Sequence, residues 1–297
     1  MKKLGLATAL LLAMTGAQAY QFEVQGQSEY VDTTENDKNF TGAVQGTYYF
    51  KDVDASKGPL AEAAFLNQAS NVSLAYQYAQ YDAPVAGGRS DVESNVYGVK
   101  AEAYYNTKYV PVPVYASATY SHTHTDGKNS VTANDNGDRY GVEVGAVVAP
   151  NFLVALGYTS IADTTALDAF GILANGTVKT TGEALAINED QDAFTARTKY
   201  VGKIDGTNAA IGFEAAIVHA ENTAYQLKTD VYFTPKLSVG ASYAEVSGTT
   251  AIDSAWGVNA NYFITPAIAV GASYVNANAE NADLDTQTVG LNAKFRF

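Results

Sequence analysis

Apolar residues recur at every second position through most of this chain, and the charges inside those runs take the other parity. Val142, Val144, Ala146 and Val148 form one such row, and Ala209, Ile211, Phe213, Ala215 and Ile217 another. Alternation of period two gives a β-strand one apolar and one polar face. Runs bounded by polar or Pro/Gly breaks predict fourteen strands, near residues 21–31, 39–50, 71–82, 94–105, 113–121, 139–149, 151–160, 192–202, 208–218, 225–233, 236–246, 255–264, 267–276 and 286–297. Glu23, Glu29, Lys100, Glu102, Glu143, Arg197, Lys199, Glu214, Lys228, Asp230, Lys294 and Arg296 lie inside these runs. All twelve fall on the face opposite the apolar residues. In a soluble sandwich that face meets bulk water. In a membrane barrel it must meet a wet lumen, because a charge on the lipid face at mid-bilayer costs about 2–4 kcal/mol.

Parity alone does not choose between the two; the chain ends do. Lys2-Lys3, an apolar run from Leu4 to Met14 and the small-residue phrase Ala17-Gln18-Ala19 read as a secretory signal peptide over residues 1–19, cleaved to leave 20–297. No later stretch offers the roughly twenty uncharged apolar residues of a membrane helix. At the other end Val289, Leu291, Ala293, Phe295 and Phe297 alternate with Thr288, Asn292, Lys294 and Arg296. An open apolar edge of this kind invites aggregation, whereas pairing it with the first strand buries both edges. The expectation is an all-β fold, a transmembrane antiparallel up-and-down β-barrel of about fourteen strands in a Gram-negative outer membrane. An even strand number puts both termini on the periplasmic side. The last strand also resembles the terminal strands by which outer-membrane barrels are recognised, which implies the barrel assembly machinery as a partner.

Composition agrees. Tyrosine is abundant at 21 residues, and its apolar ring with a polar tip suits a membrane interface. Cysteine is absent, so thiolate chemistry and disulfides are excluded. The net charge of −13 argues against nucleic acid as a partner, since phosphate binding wants a basic surface.

The connections are of two kinds. Ala149-Pro150-Asn151, Thr234-Pro235-Lys236 and Thr265-Pro266-Ala267 are short and proline-marked, and the strands Val239 to Tyr243 and Val270 to Tyr274 that follow two of them are identical. The others, 32–38, 83–93, 122–138, 161–191, 219–224, 247–254 and 277–285, are longer and acidic. Short turns on one side and long loops on the other is the outer-membrane pattern. The twelve wall charges are six acids and six bases, so the negative charge gathers in the long loops. Such loops are either a plain solvated face or a negative vestibule that concentrates cations.

Two connections invite more. The loop 161–191 carries Leu167, Asp168, Phe170 and Ile172 in a run too apolar for a freely solvated loop, so it is predicted to fold into the lumen and form a constriction. On the periplasmic side, segment 51–70 contains Pro59-Leu60-Ala61-Glu62-Ala63-Ala64-Phe65-Leu66, which reads as a short helix. It is either a plug or an ordinary long turn. His122 and His124 are two apart with Asp126 nearby, but two imidazoles without a third fixed ligand are read as loop histidines. Ser121 adjoins His122, on opposite faces of a strand, which argues against a nucleophile–base pair.

Three phrases carry a resemblance: Phe50 to Leu60, Tyr97 to Tyr105 and Val289 to Phe297. They resemble the porins of gamma-proteobacterial outer membranes, and the likeness extends over essentially the whole chain. The resemblance implies a passive diffusion channel for water, ions and small polar solutes, with a part in carbapenem uptake. It implies no catalytic motif, cofactor or metal, and a setting in outer-membrane lipid and lipopolysaccharide. The acidic loops add an expected cation bias. The alternative is an adhesion or host-contact barrel with a closed lumen, using the acidic loops as its ligand surface.

Overall fold

A computed structural model describes residues 19–33, 36–85, 88–128, 134–162, 167–171, 191–247, 254–279 and 284–297. The leader reading over 1–19 therefore lies, except for Ala19, outside the described residues. The strands are β1 (Ala19–Thr33), β2 (Asn36–Asp54), β3 (Asn71–Val85), β4 (Gly88–Tyr105), β5 (Val114–Gly127), β6 (Asp135–Ala149) and β7 (Phe152–Ala162). They continue as β8 (Asp192–Lys203), β9 (Ala210–His219), β10 (Thr223–Thr234), β11 (Leu237–Ser247), β12 (Ser254–Thr265), β13 (Ile268–Ala279) and β14 (Leu284–Arg296). Each is antiparallel to the next, and β14 pairs with β1, so the sheet is a closed barrel.

Closure runs to the last residue. The β1–β14 register extends from Glu23↔Arg296 to Thr33↔Thr286. Beyond it the Phe22 amide donates to the Phe297 carbonyl at 2.8 Å and the Phe297 amide returns to the Phe22 carbonyl at 3.0 Å. The two rings stack with centroids 5.6 Å apart. Lipid offers backbone groups no partners, so a ladder paired to its ends is the condition for crossing a bilayer.

The outer face is apolar and exposed, as at Leu74, Val144, Leu156 and Leu291. Aromatic residues bound this band: Tyr30, Tyr97, Tyr140, Phe194, Tyr225 and Trp256 towards the long-connection end, and Phe50, Tyr105, Phe233, Tyr262 and Phe297 towards the short-turn end. On β10 the nine residues from Tyr225 to Phe233 cover about 26 Å of strand, which a tilted strand needs to cross a bilayer. Rings pair across strands at the upper border, as in Tyr76–Tyr97 and Tyr120–Tyr140, both 5.2 Å between centroids.

Three expected loops are largely strand. The segment 32–38 shrinks because β1 reaches Thr33 and β2 begins at Asn36. In place of 83–93, β3 and β4 stay paired to Val85↔Gly88. In place of 122–138, β5 runs to Gly127 and β6 begins at Asp135. These extensions stand past the aromatic border, where water wets both faces. No apolar row is required there, so alternation fades although the ladder continues. His122 and His124 are accordingly strand residues rather than loop residues.

On the short side, the Pro150 turn holds Asn151 at a φ of 59°, a left-handed conformation that asparagine tolerates better than most residues. Segment 51–70 is a longer connection on this side: β2 ends at Asp54, and the chain forms a single 3-10 turn, Leu60–Glu62, then helix α1, Ala63–Leu66. A helix so short is unstable alone, and its supports lie in the lumen.

Leu156 is 63% exposed in the middle of the lipid band on β7. Leu156→Arg should lower stability in lipid vesicles by about 2–4 kcal/mol in a denaturant titration. Arginine at inward-facing Thr195 should cost clearly less.

Candidate functional site: a charged and partly filled lumen

The structure places all twelve predicted charges on the face away from lipid. On β4 and β10 they fall between the aromatic borders: Lys100 and Glu102 between Tyr97 and Tyr105, Lys228 and Asp230 between Tyr225 and Phe233. Register brings them side by side. Lys199, Glu214 and Lys228 are direct neighbours on β8, β9 and β10, and Glu102 and Glu143 both flank Ser117 of β5. The result is a belt of mixed sign carried by β1, β4, β6, β8, β9, β10 and β14.

Almost all of the belt is paired. Arg197 makes a two-pronged contact with Glu143, Nε to Oε1 and Nη2 to Oε2, both 2.8 Å. The same guanidinium is 3.8 Å from Glu214. Lys100 meets Glu102 at 3.1 Å, and Lys228 meets Asp230 at 3.2 Å. Glu23 takes both Lys294, at 2.9 Å, and Arg296, at 2.7 Å. Glu29 stands apart; it is 2% exposed and accepts a hydrogen bond from Gln27 at 2.5 Å. Tyr115 joins the arc by donating to Glu102 at 2.8 Å, with an Arg197 nitrogen 3.4 Å from its hydroxyl.

The short helix lies inside this belt. Glu62 reaches Lys199 at 2.9 Å and accepts from the Tyr232 hydroxyl at 2.8 Å. Arg296 donates to the Leu60 carbonyl, and the Leu60 amide donates to the Pro235 carbonyl, both at 2.8 Å. Leu60 packs with Phe263 and Ala269 of β12 and β13. Ala63 packs with Tyr20 and Tyr49 of β1 and β2, and Phe65 with groups centred on Tyr115 and Leu153 and on Val201 and Tyr232. Contacts to so much of the wall make the segment a bridge across the bore.

A second insertion comes from the opposite end. The Leu167 amide donates to Thr123 Oγ1 at 2.9 Å and the Ala169 amide to Ser121 Oγ at 3.2 Å, both on β5. Ala169 and Phe170 are buried against Ala43, Ala75 and Val96 on the inner faces of β2, β3 and β4. Gly98 makes the room, since a Cβ there would stand 2.6 Å from the Ala169 Cβ and 2.8 Å from the Phe170 ring. Asp168 faces the adjoining cavity. Ile172 and most of 161–191 lie outside the described residues.

Between the insertions lie two chambers lined by described residues. The upper, about 340 Å³, is bounded by Asp168 and Phe170 and by the belt residues of β4, β6, β8 and β9. The lower, about 270 Å³, borders the helix at Glu62 and Phe65. Glu102, Arg197 and Lys199 line both and form the neck between them.

Sequence reading missed four contributors. Glu62 lies in the segment read as either a plug or a long turn and is not among the twelve, and only its contacts across the bore make it part of the site. Tyr115 and Tyr232 alternate inward among many tyrosines and carry no distinguishing signal. Arg139, 9% exposed and facing the upper chamber, is the first residue of the expected strand 139–149, at its edge rather than among the interior charges. His122 bonds Asp138 at 2.9 Å and His124 bonds Asn136 at 2.5 Å; among the described residues no group of metal-ligating side chains could hold an ion.

A closed fourteen-stranded barrel with an apolar outer band and a charged inner belt defines an outer-membrane channel protein. The family model described as "Putative general bacterial porin" matches residues 1–297, and the chain belongs to that family. It is 54% identical to the Acinetobacter baumannii outer membrane protein Omp33, covering 95% of this chain and 100% of that one, with a TM-score of 0.69. A Pseudomonas aeruginosa FadL homologue (10% identity, 93% and 90% covered, TM-score 0.53) and the Pseudomonas putida toluene transporter TodX (8%, 92% and 88%, 0.52) share the fold. Among curated proteins none matches the sequence. Family and fold place the chain in the Gram-negative outer membrane, among lipid and lipopolysaccharide.

Burial pushes the Glu62 carboxyl up, but the Lys199 ammonium beside it, Lys228 and the Tyr232 hydroxyl outweigh burial and hold it below the usual carboxylate range. The contribution of this latch is therefore complete above about pH 4.3, the ordinary glutamate value, and is lost as pH falls through the depressed folded value. Protection of the 60–69 amides, relative to intrinsic exchange at each pH, should fall in that acid range, and Glu62→Gln should show reduced protection already at pH 7. Gly98→Leu should likewise speed exchange at 167–171 while leaving 60–69 protected.

Proposed function

We propose that this protein is a narrow passive-diffusion pore for water, ions and small polar solutes, carbapenems among them, with a bias towards cations. The observation that carries this reading is the sign-balanced belt that lines two lumen chambers between the two insertions. Selection is by size at the insertions and by field at the mouth. Twelve wall charges cancel as six acids and six bases, so net charge resides outside the belt, and the long connections with their strand extensions are acidic. A negative entrance raises the local cation concentration and repels anions. The segments around Phe170 and Phe65 act as the size limit.

Purified protein in a planar bilayer should give discrete single-channel steps. Under a potassium chloride gradient the reversal potential should carry the sign of cation preference; an anion-selective sign would overturn the bias. Removing residues 164–176 should raise the single-channel current, and an unchanged current would remove the insertion from the size limit. Electrical silence in both proteins would favour the closed adhesion barrel instead.

A further inference from the structure

We propose that the upper chamber is a binding subsite for small zwitterions, compact solutes carrying one ammonium and one carboxylate a few bonds apart. This deepens the reading of the lumen as a solute path and rests on it. Three observations combine. The first is size: about 340 Å³ is at the lower end of the roughly 300–1,000 Å³ of small-molecule pockets.

The second is the pairing of signs within one chamber. Lys100 with Glu102, and Arg197 with Glu143 and Glu214, present both signs on facing stretches of wall, with side chains 14–30% exposed. A solute with a single charge that enters such a pair satisfies one member and leaves the other facing a partly desolvated cavity alone. That is the costly half of breaking a buried ion pair. A zwitterion meets both members at once, exchanges two water-facing ion pairs for two new ones and brings no net charge into the belt.

The third is continuity. Glu102, Arg197 and Lys199 line the neck to the lower chamber, so both signs remain within reach of a zwitterion as it moves down. Binding that is favourable at successive sites but tight at none is what conduction requires. Ser117, Thr119, Thr159 and Thr195 add hydroxyls along the chamber wall. They can turn as donor or acceptor to either end of the solute.

The test uses the full barrel in detergent and 5-aminopentanoate as probe, with pentanoate and pentylammonium as its single-charge counterparts. Calorimetry should show saturable binding of the zwitterion with a Kd at least tenfold below that of either counterpart. Lys100→Met and Glu214→Gln, each verified as folded by heat-modifiable gel mobility, should each raise that Kd at least fivefold. Equal affinity for a single-charge counterpart, absence of saturable heat, or a Kd unmoved by both variants would overturn the proposal. If one variant does not fold, the other and the counterpart series decide. Conductance of the same preparation separates the two readings: ion current without zwitterion binding refutes the subsite alone, and binding without current refutes the diffusion pore alone.

Discussion

The structure depends on one constraint, that no backbone amide or carbonyl can be left unpaired in hydrocarbon. Antiparallel strands satisfy each other along their lengths, but the first and last must find one another. They do so from Thr33 down to Phe22, where the final residue exchanges hydrogen bonds with β1. Closure fixes which face of every strand meets lipid and which meets the lumen. It also fixes a bore between that of small barrels filled by wall side chains and that of the large open porins.

The interior responds to that bore. Wall side chains alone do not fill it, and the chain supplies two further pieces, residues 60–66 from below and 167–171 from above. Each is held by polar latches more than by length: Glu62 to Lys199 and Tyr232, and two backbone amides to the hydroxyls of Ser121 and Thr123. Charged latches are tolerable inside a membrane protein because the lumen is wet and each charge has a partner, so the desolvation that penalises an isolated buried ion is only partial.

Much of this was legible in the sequence. The strands within the lipid band were, because lipid on one side and water on the other impose period two. The phrases at Pro235 and Pro266 marked turns because proline fixes its backbone angle and needs no donor there. The strand extensions past Tyr97 and Tyr120 were not legible, since water on both faces removes the apolar row while leaving the ladder. Arg139, at the first position of the expected strand 139–149, was passed over because only charges inside the runs were counted. The apolar run around Phe170 announced burial, but not the cleft beside Gly98 that receives it.

The sequence by itself determined the face of each residue, because strand parity is a local property that survives any arrangement of the strands. Lys294 and Arg296 had to share the inner face whatever they met there. Tertiary structure alone decided the partners. Arg296 reaches Glu23 across 273 residues of chain, and Tyr232 reaches Glu62 across 170. Neither pairing has any local signal. Both follow from the closure of the ring, which brings the chain's two ends together and turns a periplasmic connection into a bridge across the lumen.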